Sequence, residues 1–75
     1  MPRYFFHVID GRSAPDLEGY ECADIHVAQD EAIRMSGQIM RDRGSHFWDG
    51  SEWRMEVTAG ERNLFVVRFS AEELP

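Results

Sequence analysis

His7 and Asp10 are the residues of this 75-residue chain best placed for chemistry. An aspartate that accepts from a histidine ring N–H can orient a general base or a metal ligand. Strand alternation, however, sends residues 7 and 10 to opposite faces unless a turn begins early. A wider constellation would gather His7, His26, His46 and Cys22 around a metal. Zinc ligands usually come in close pairs such as Cys-x-x-Cys or His-x₃-His, and neither spacing occurs here, so no metal site is expected. Cys22 as a nucleophile would need a base and a positive environment, and His26 follows four residues later at the start of a helix. Glu18, Glu21 and Asp24 crowd the same stretch and disfavour the thiolate. The plainer role for Cys22 is that of a small apolar residue beneath the helix. There is no Gly-rich phosphate loop and no Gly-x-Ser-x-Gly, so no cofactor is implied and no enzyme is expected.

Composition narrows the field further. A chain of this length buries only about 60% of its unfolded surface, too little to enclose a large cavity. Apolar residues at 43% are nevertheless ample for a core and too many for disorder. The net charge of −6, with 14 acidic residues against 8 arginines and no lysine, has the wrong sign for nucleic acid or an anionic membrane. One cysteine excludes an intramolecular disulfide and suits a reducing compartment. No signal peptide and no membrane-length apolar run is evident, so a cytoplasmic protein is expected.

The elements that must position these residues read as one domain over residues 1–75. Arg3 to Ile9 is a strand by its aromatic and β-branched content. Asp10-Gly11 marks a turn, and Arg12 to Asp16, with Pro15, reads as loop. Leu17 to Cys22 adds a short edge strand. Asp24 to Arg43 is a helix with Asp24 as N-cap, Arg41 and Arg43 at the negative end, and Gly44 as a left-handed stop. Its apolar side collects Ile25, Ala28, Ala32, Ile33, Met35, Ser36, Ile39 and Met40, with Val27 alone on the wet side. Ser45 to Ser51 is loop. Glu52 to Thr58 alternates cleanly, with Trp53, Met55 and Val57 on one face. In Leu64 to Phe69, Phe65, Val67 and Phe69 share that face while Leu64 and Val66 crowd the reverse. A five-residue loop, Ala59 to Asn63, would set Met55 opposite Val67 and keep both under the helix.

The fold class is therefore α+β, β-(β)-α-β-β: a small, mainly antiparallel sheet of three to four strands with one helix packed on one face. One helix covers one sheet face, yet Arg3–Ile9 and Leu64–Phe69 are apolar on both. These two strands are expected to be central neighbours whose second face meets a second copy of the chain. The interface candidates are Phe5, His7, Ile9, Leu64 and Val66.

The stretches MPRYFFHVIDG, DLEGYE, AQDEAIRM and EWRMEVTAGERNLFVVRFS, in this order, resemble a family of short proteins of unknown function from rhizobial and related alphaproteobacteria. The resemblance covers nearly the whole chain. It implies a bacterial, single-domain, cytoplasmic protein and carries no catalytic residues with it. The function expected from the sequence is a non-enzymatic homodimeric interaction or regulatory module, with an unidentified protein partner possible. The alternative is a small-molecule or peptide binder using the His46–Trp53 loop, where Phe47, Trp48 and Trp53 would form the surface.

Overall fold

The structure is a computed structural model that describes residues 1–49 and 52–75, with Asp49 described by its backbone alone. Along the chain run β1 (Arg3–Ile9), β2 (Ser13–Ala14), β3 (Tyr20–Glu21), α1 (Ile25–Arg43), a 3₁₀ helix (Gly44–Asp49), β4 (Trp53–Ala59) and β5 (Arg62–Phe69). The strands make one antiparallel sheet in the order β2-β1-β4-β5, and β3 also pairs with β1. The expected α+β class holds. Two expected loops carry structure instead: Ser13–Ala14 pairs with Val8 and Ile9, and the segment after α1 winds into the 3₁₀ helix.

β4 lies at the centre, flanked by β1 on one side and β5 on the other. This corrects the expectation that β1 and β5 are neighbours. The tight hairpin commits β5 to one edge of β4, and β1 takes the other, which leaves β5 at the edge of the sheet. Trp53, Met55 and Val57 point from β4 into the core, each no more than 1% exposed, and Tyr4 and Phe6 join them from β1. Phe65, Val67 and Phe69 stand opposite Val57, Met55 and Trp53.

The Met55–Val67 register is as the sequence predicts, but a different device produces it. The hairpin closes at Ala59–Arg62 around a two-residue turn, with Gly60 at φ 61°. Thr58 then faces Asn63, and the register shifts before Val57 meets Phe65, so Leu64 is the extra residue of a β-bulge. A bulge restores the facing that a two-residue turn alone would have lost. It also turns Leu64 away from Val66, and Leu64 packs against the core cluster.

α1 begins where Asp24 accepts the Val27 N–H at 3.0 Å, and it ends where the Gly44 N–H, at φ 53°, bonds the Met40 carbonyl. Its buried seam is Ala28, Ala32 and Ser36, spaced four apart, each 0% exposed. Met35, Ile39 and Met40 flank the seam. Ile33 does not belong to the core face, since it is 59% exposed, and Ile25 is also exposed. Small residues bring the helix axis close to the sheet, and a side chain about 100° round from that seam is lifted clear of it.

Because the seam has no spare volume, Ala32→Leu should overpack it and cost about 1–3 kcal/mol in urea unfolding. Ile33→Ala should change stability by no more than about 0.5 kcal/mol. A larger loss at Ile33 than at Ala32 would place the helix in a different rotation.

Candidate functional site

β1 has a divided outer edge. β3 covers Arg3 and Tyr4, β2 covers Val8 and Ile9, and neither pairs with the stretch between. Asp16 fills that gap. Its carboxylate accepts the Phe6 N–H at 3.1 Å, the Glu18 N–H at 3.1 Å and the Gly19 N–H at 3.0 Å. Its own N–H donates to Nδ1 of His7 at 3.0 Å. Arg3 holds the same loop from β1, donating to the Glu18 carbonyl at 2.6 Å and reaching Glu21 at 3.4 Å. Gly19, at φ 72°, lies so close to β1 that a Cβ there would stand 2.8 Å from the Tyr4 carbonyl oxygen.

These contacts fix the chemistry of His7. A ring nitrogen that accepts a backbone N–H is the unprotonated one, so the proton sits on Nε2. Nε2 then donates to Oγ1 of Thr58, 3.0 Å away. A base that activates a hydroxyl must present a lone pair to it. His7 presents a proton to Thr58 and spends its lone pair on Asp16, the reverse of a base–nucleophile pair. Asp10 takes no part, because its carboxylate pairs with Arg43 at 3.1 Å.

Partial burial pushes the Asp16 carboxyl up, but the N–H groups of Gly19, Phe6 and Glu18 outweigh it and hold the group below the usual carboxylate range. Burial pushes the Cys22 thiol up, and the charges of Glu31 and Asp24 push it further. Cys22 is 5% exposed and belongs to the core. His26 lies exposed on the first turn of α1. Among the described residues, no three His, Cys, Asp or Glu side chains converge as metal ligands.

The sheet face away from α1 carries Phe5, His7 and Ile9 from β1, Arg54, Glu56 and Thr58 from β4, and Val66 and Arg68 from β5. Phe5 and Ile9 are half-buried, and Val66 is 42% exposed. The Phe5 and His7 rings stack with centroids 6.4 Å apart. Arg54 and Arg68 are directly opposed, and Glu56 binds Nε of Arg54 at 3.0 Å. Four of the five interface candidates thus share this face, and Leu64 does not. Beside the bulge, a shallow groove of about 300 Å³ is lined by Glu56, Val57, Asn63, Leu64, Phe65 and Val66.

The aromatic loop is not a continuous surface. Trp53 is 1% exposed, and strand alternation sends it inward against Phe69. Phe47 is half-buried beneath the Arg43 guanidinium, 5.8 Å from its ring centroid, which leaves Trp48, at 57%, as the exposed member. Residues 50 and 51 of that loop lie outside the described residues. Sequence reasoning missed Asp16 and Thr58. The Asp-x-x-Gly spacing of Asp16 and Gly19, a common side-chain-capped turn, was the signal available for Asp16. Thr58 carried no such signal.

Asp16 is more acidic in the folded chain than in the unfolded one. Its stabilisation is therefore complete above about pH 5 and lost as pH falls through the lowered folded-state value. Asp16→Asn, which turns an amide N–H toward at least one backbone donor, should cost about 1 kcal/mol at neutral pH, comparable to losing a helix cap. The gap to wild type should close in urea titrations once pH falls below the lowered folded-state value, and an equal gap at neutral and acidic pH would assign the loss to packing. Gly19→Ala should cost roughly 1–3 kcal/mol at every pH, because it combines backbone strain with a clash.

No curated protein and no solved structure matches the chain. Among the described residues, no helix is long and apolar enough to cross a membrane. The family model for a domain of unknown function, DUF6894, matches residues 3–70, and the chain is accordingly a member of the DUF6894 family.

Proposed function

We propose that this domain is a non-enzymatic, homodimeric interaction module of the bacterial cytoplasm, regulatory in its use, that buries the open face of its sheet against a second copy. The observation that carries this reading is the face itself. Phe5, Ile9 and Val66 lie on a surface that α1 cannot reach, because the helix is spent on the opposite side. The polar residues among them are partly neutralised within the chain: Glu56 binds Arg54, and both ring nitrogens of His7 are engaged. Such a surface can be desolvated at less cost than one of unpaired charges.

Support for the absence of catalysis comes from the same contacts, since His7 has no free lone pair and Cys22 is a buried thiol. The buried free cysteine also fits a reducing compartment. The alternative of a small-molecule or peptide binder on the His46–Trp53 loop retains Trp48 as its exposed aromatic anchor. The groove beside the bulge offers a ligand little, since it is shallow and its only carboxylate, Glu56, is already paired.

Sedimentation equilibrium at high micromolar concentration tests the proposal. Phe5→Asp should halve the mass of the wild-type particle while leaving the far-ultraviolet circular dichroism unchanged. Ile9→Asp should do the same. A wild-type protein that sediments as a monomer would overturn the reading.

A further inference from the structure

The backbone of β5 carries information that the sheet face does not. In an antiparallel ladder each residue turns its N–H and C=O toward one neighbour, and the direction alternates along the strand. The Phe6 N–H is taken by Asp16, and the Pro2 carbonyl by Cys22, so the even-numbered residues of β1 turn away from β4. Val57, opposite Phe6, therefore bonds not to β1 but to Phe65 on its other side. Alternation carries this along the hairpin. Phe65, Val67 and Phe69 bond β4, while Val66 and Arg68 aim their N–H and C=O groups out of the sheet edge.

We infer that this edge pairs with the same edge of a second copy, β5 against β5 in antiparallel sense, centred on Val67. The register follows from the residues. With Val67 on the two-fold axis, Val66 of each copy faces Arg68 of the other, and these outward-turned residues exchange about four backbone hydrogen bonds. Phe65 meets Phe69 across the join on the helix side, an aromatic cross-strand pair of the kind that stabilises sheets. Centring on Arg68 would oppose two arginines, and centring on Val66 would run the pairing into the bulge at Leu64. RNLFVVRF contains no proline, no lysine and no carboxylate, and the one bulge that guards this edge, at Leu64, lies outside the Phe65–Phe69 pairing. Its run Leu64–Val67 is uncharged.

This contact is independent of the face-to-face one. Its axis stands perpendicular to the sheet, whereas a face-to-face axis lies parallel to the sheet plane, so the two contacts are distinct, and they close a tetramer of dihedral symmetry where the two axes intersect. Sedimentation of single and double variants separates them. Phe5→Asp and Ile9→Asp, impaired only on the face, should remain dimers. Arg68→Pro removes an N–H that β4 does not use, so the fold should survive while the edge contact is lost and the mass halves. Phe5→Asp with Arg68→Pro should be monomeric. A monomeric, folded Phe5→Asp protein from a dimeric wild type overturns the edge contact and leaves the face contact standing. Because the Arg68 side chain also lies on the face, a monomeric Arg68→Pro protein does the opposite only together with a dimeric Phe5→Asp protein, both from a dimeric wild type. Amide exchange gives a check free of substitutions. The Val66 and Arg68 amides should be protected at high concentration and lose that protection on dilution, while those of Phe65, Val67 and Phe69 stay protected throughout. Fast exchange at Val66 and Arg68 in the assembled protein would overturn the inference.

Discussion

Three backbone N–H groups converge on the carboxylate of Asp16, and the remainder of the sheet is arranged around that convergence. The segment between β1 and α1, broken by Pro15 and by Gly19 at positive φ, supplies no continuous outer strand. It supplies two fragments of two residues each, and the aspartate bridges the interval between them. An unpaired N–H in the middle of β1 would otherwise face the loop without a partner, at a cost comparable to a lost hydrogen bond. The same residue sets the tautomer of His7, and through it the direction of the hydrogen bond to Thr58 on β4. One side chain thus joins loop, edge strand and central strand, and it also removes the most base-like group in the chain from use as a base.

Much of the fold is legible in the sequence because it rests on local periodicity. The helix from Asp24 to Gly44 is bounded by residues whose capping chemistry is specific, and both caps form. The alternation of Trp53, Met55 and Val57 can be read directly from the order of residues, and so can the need to set Met55 against Val67. What is not legible is non-local. Nothing in RNLFVVRF states that its second neighbour is solvent, so two-faced apolarity reads equally as a central strand or as an edge awaiting a partner. The bulge at Leu64 is invisible for a related reason. Facing can be preserved by a longer loop or by a tight turn with one extra residue, and composition does not choose between them.

The site was harder to foresee than the fold. His7 stands out by residue type, but its partners lie in a loop and in a distant strand, and Asp10, the nearest acid in sequence, goes to Arg43. Ile33 shows how volume can override pattern. It sits within the apolar arc of the helix, yet the helix approaches the sheet on Ala28, Ala32 and Ser36, and that close approach leaves a large side chain outside. Trp53 has the opposite fate. Its ring is enclosed against Phe69, and among the described residues the indole N–H has no hydrogen-bond partner, so apolar burial outweighs the loss of one donor at that position.

The two edges of the sheet are unlike, and this asymmetry bears on how far such a protein can polymerise. A sheet with two open edges can add strands without limit, which is the geometry of fibrils. Here the β1 side ends in the two-residue strands Ser13–Ala14 and Tyr20–Glu21, interrupted by the Asp16 bridge and followed in one case by Pro15. Fragments so short offer an incoming chain no ladder to extend. Strand addition can therefore proceed from β5 alone, and a single event exhausts it. By closing one side of the sheet, an aspartate in a surface loop sets the valence for strand addition at one and keeps β5 from seeding a fibre.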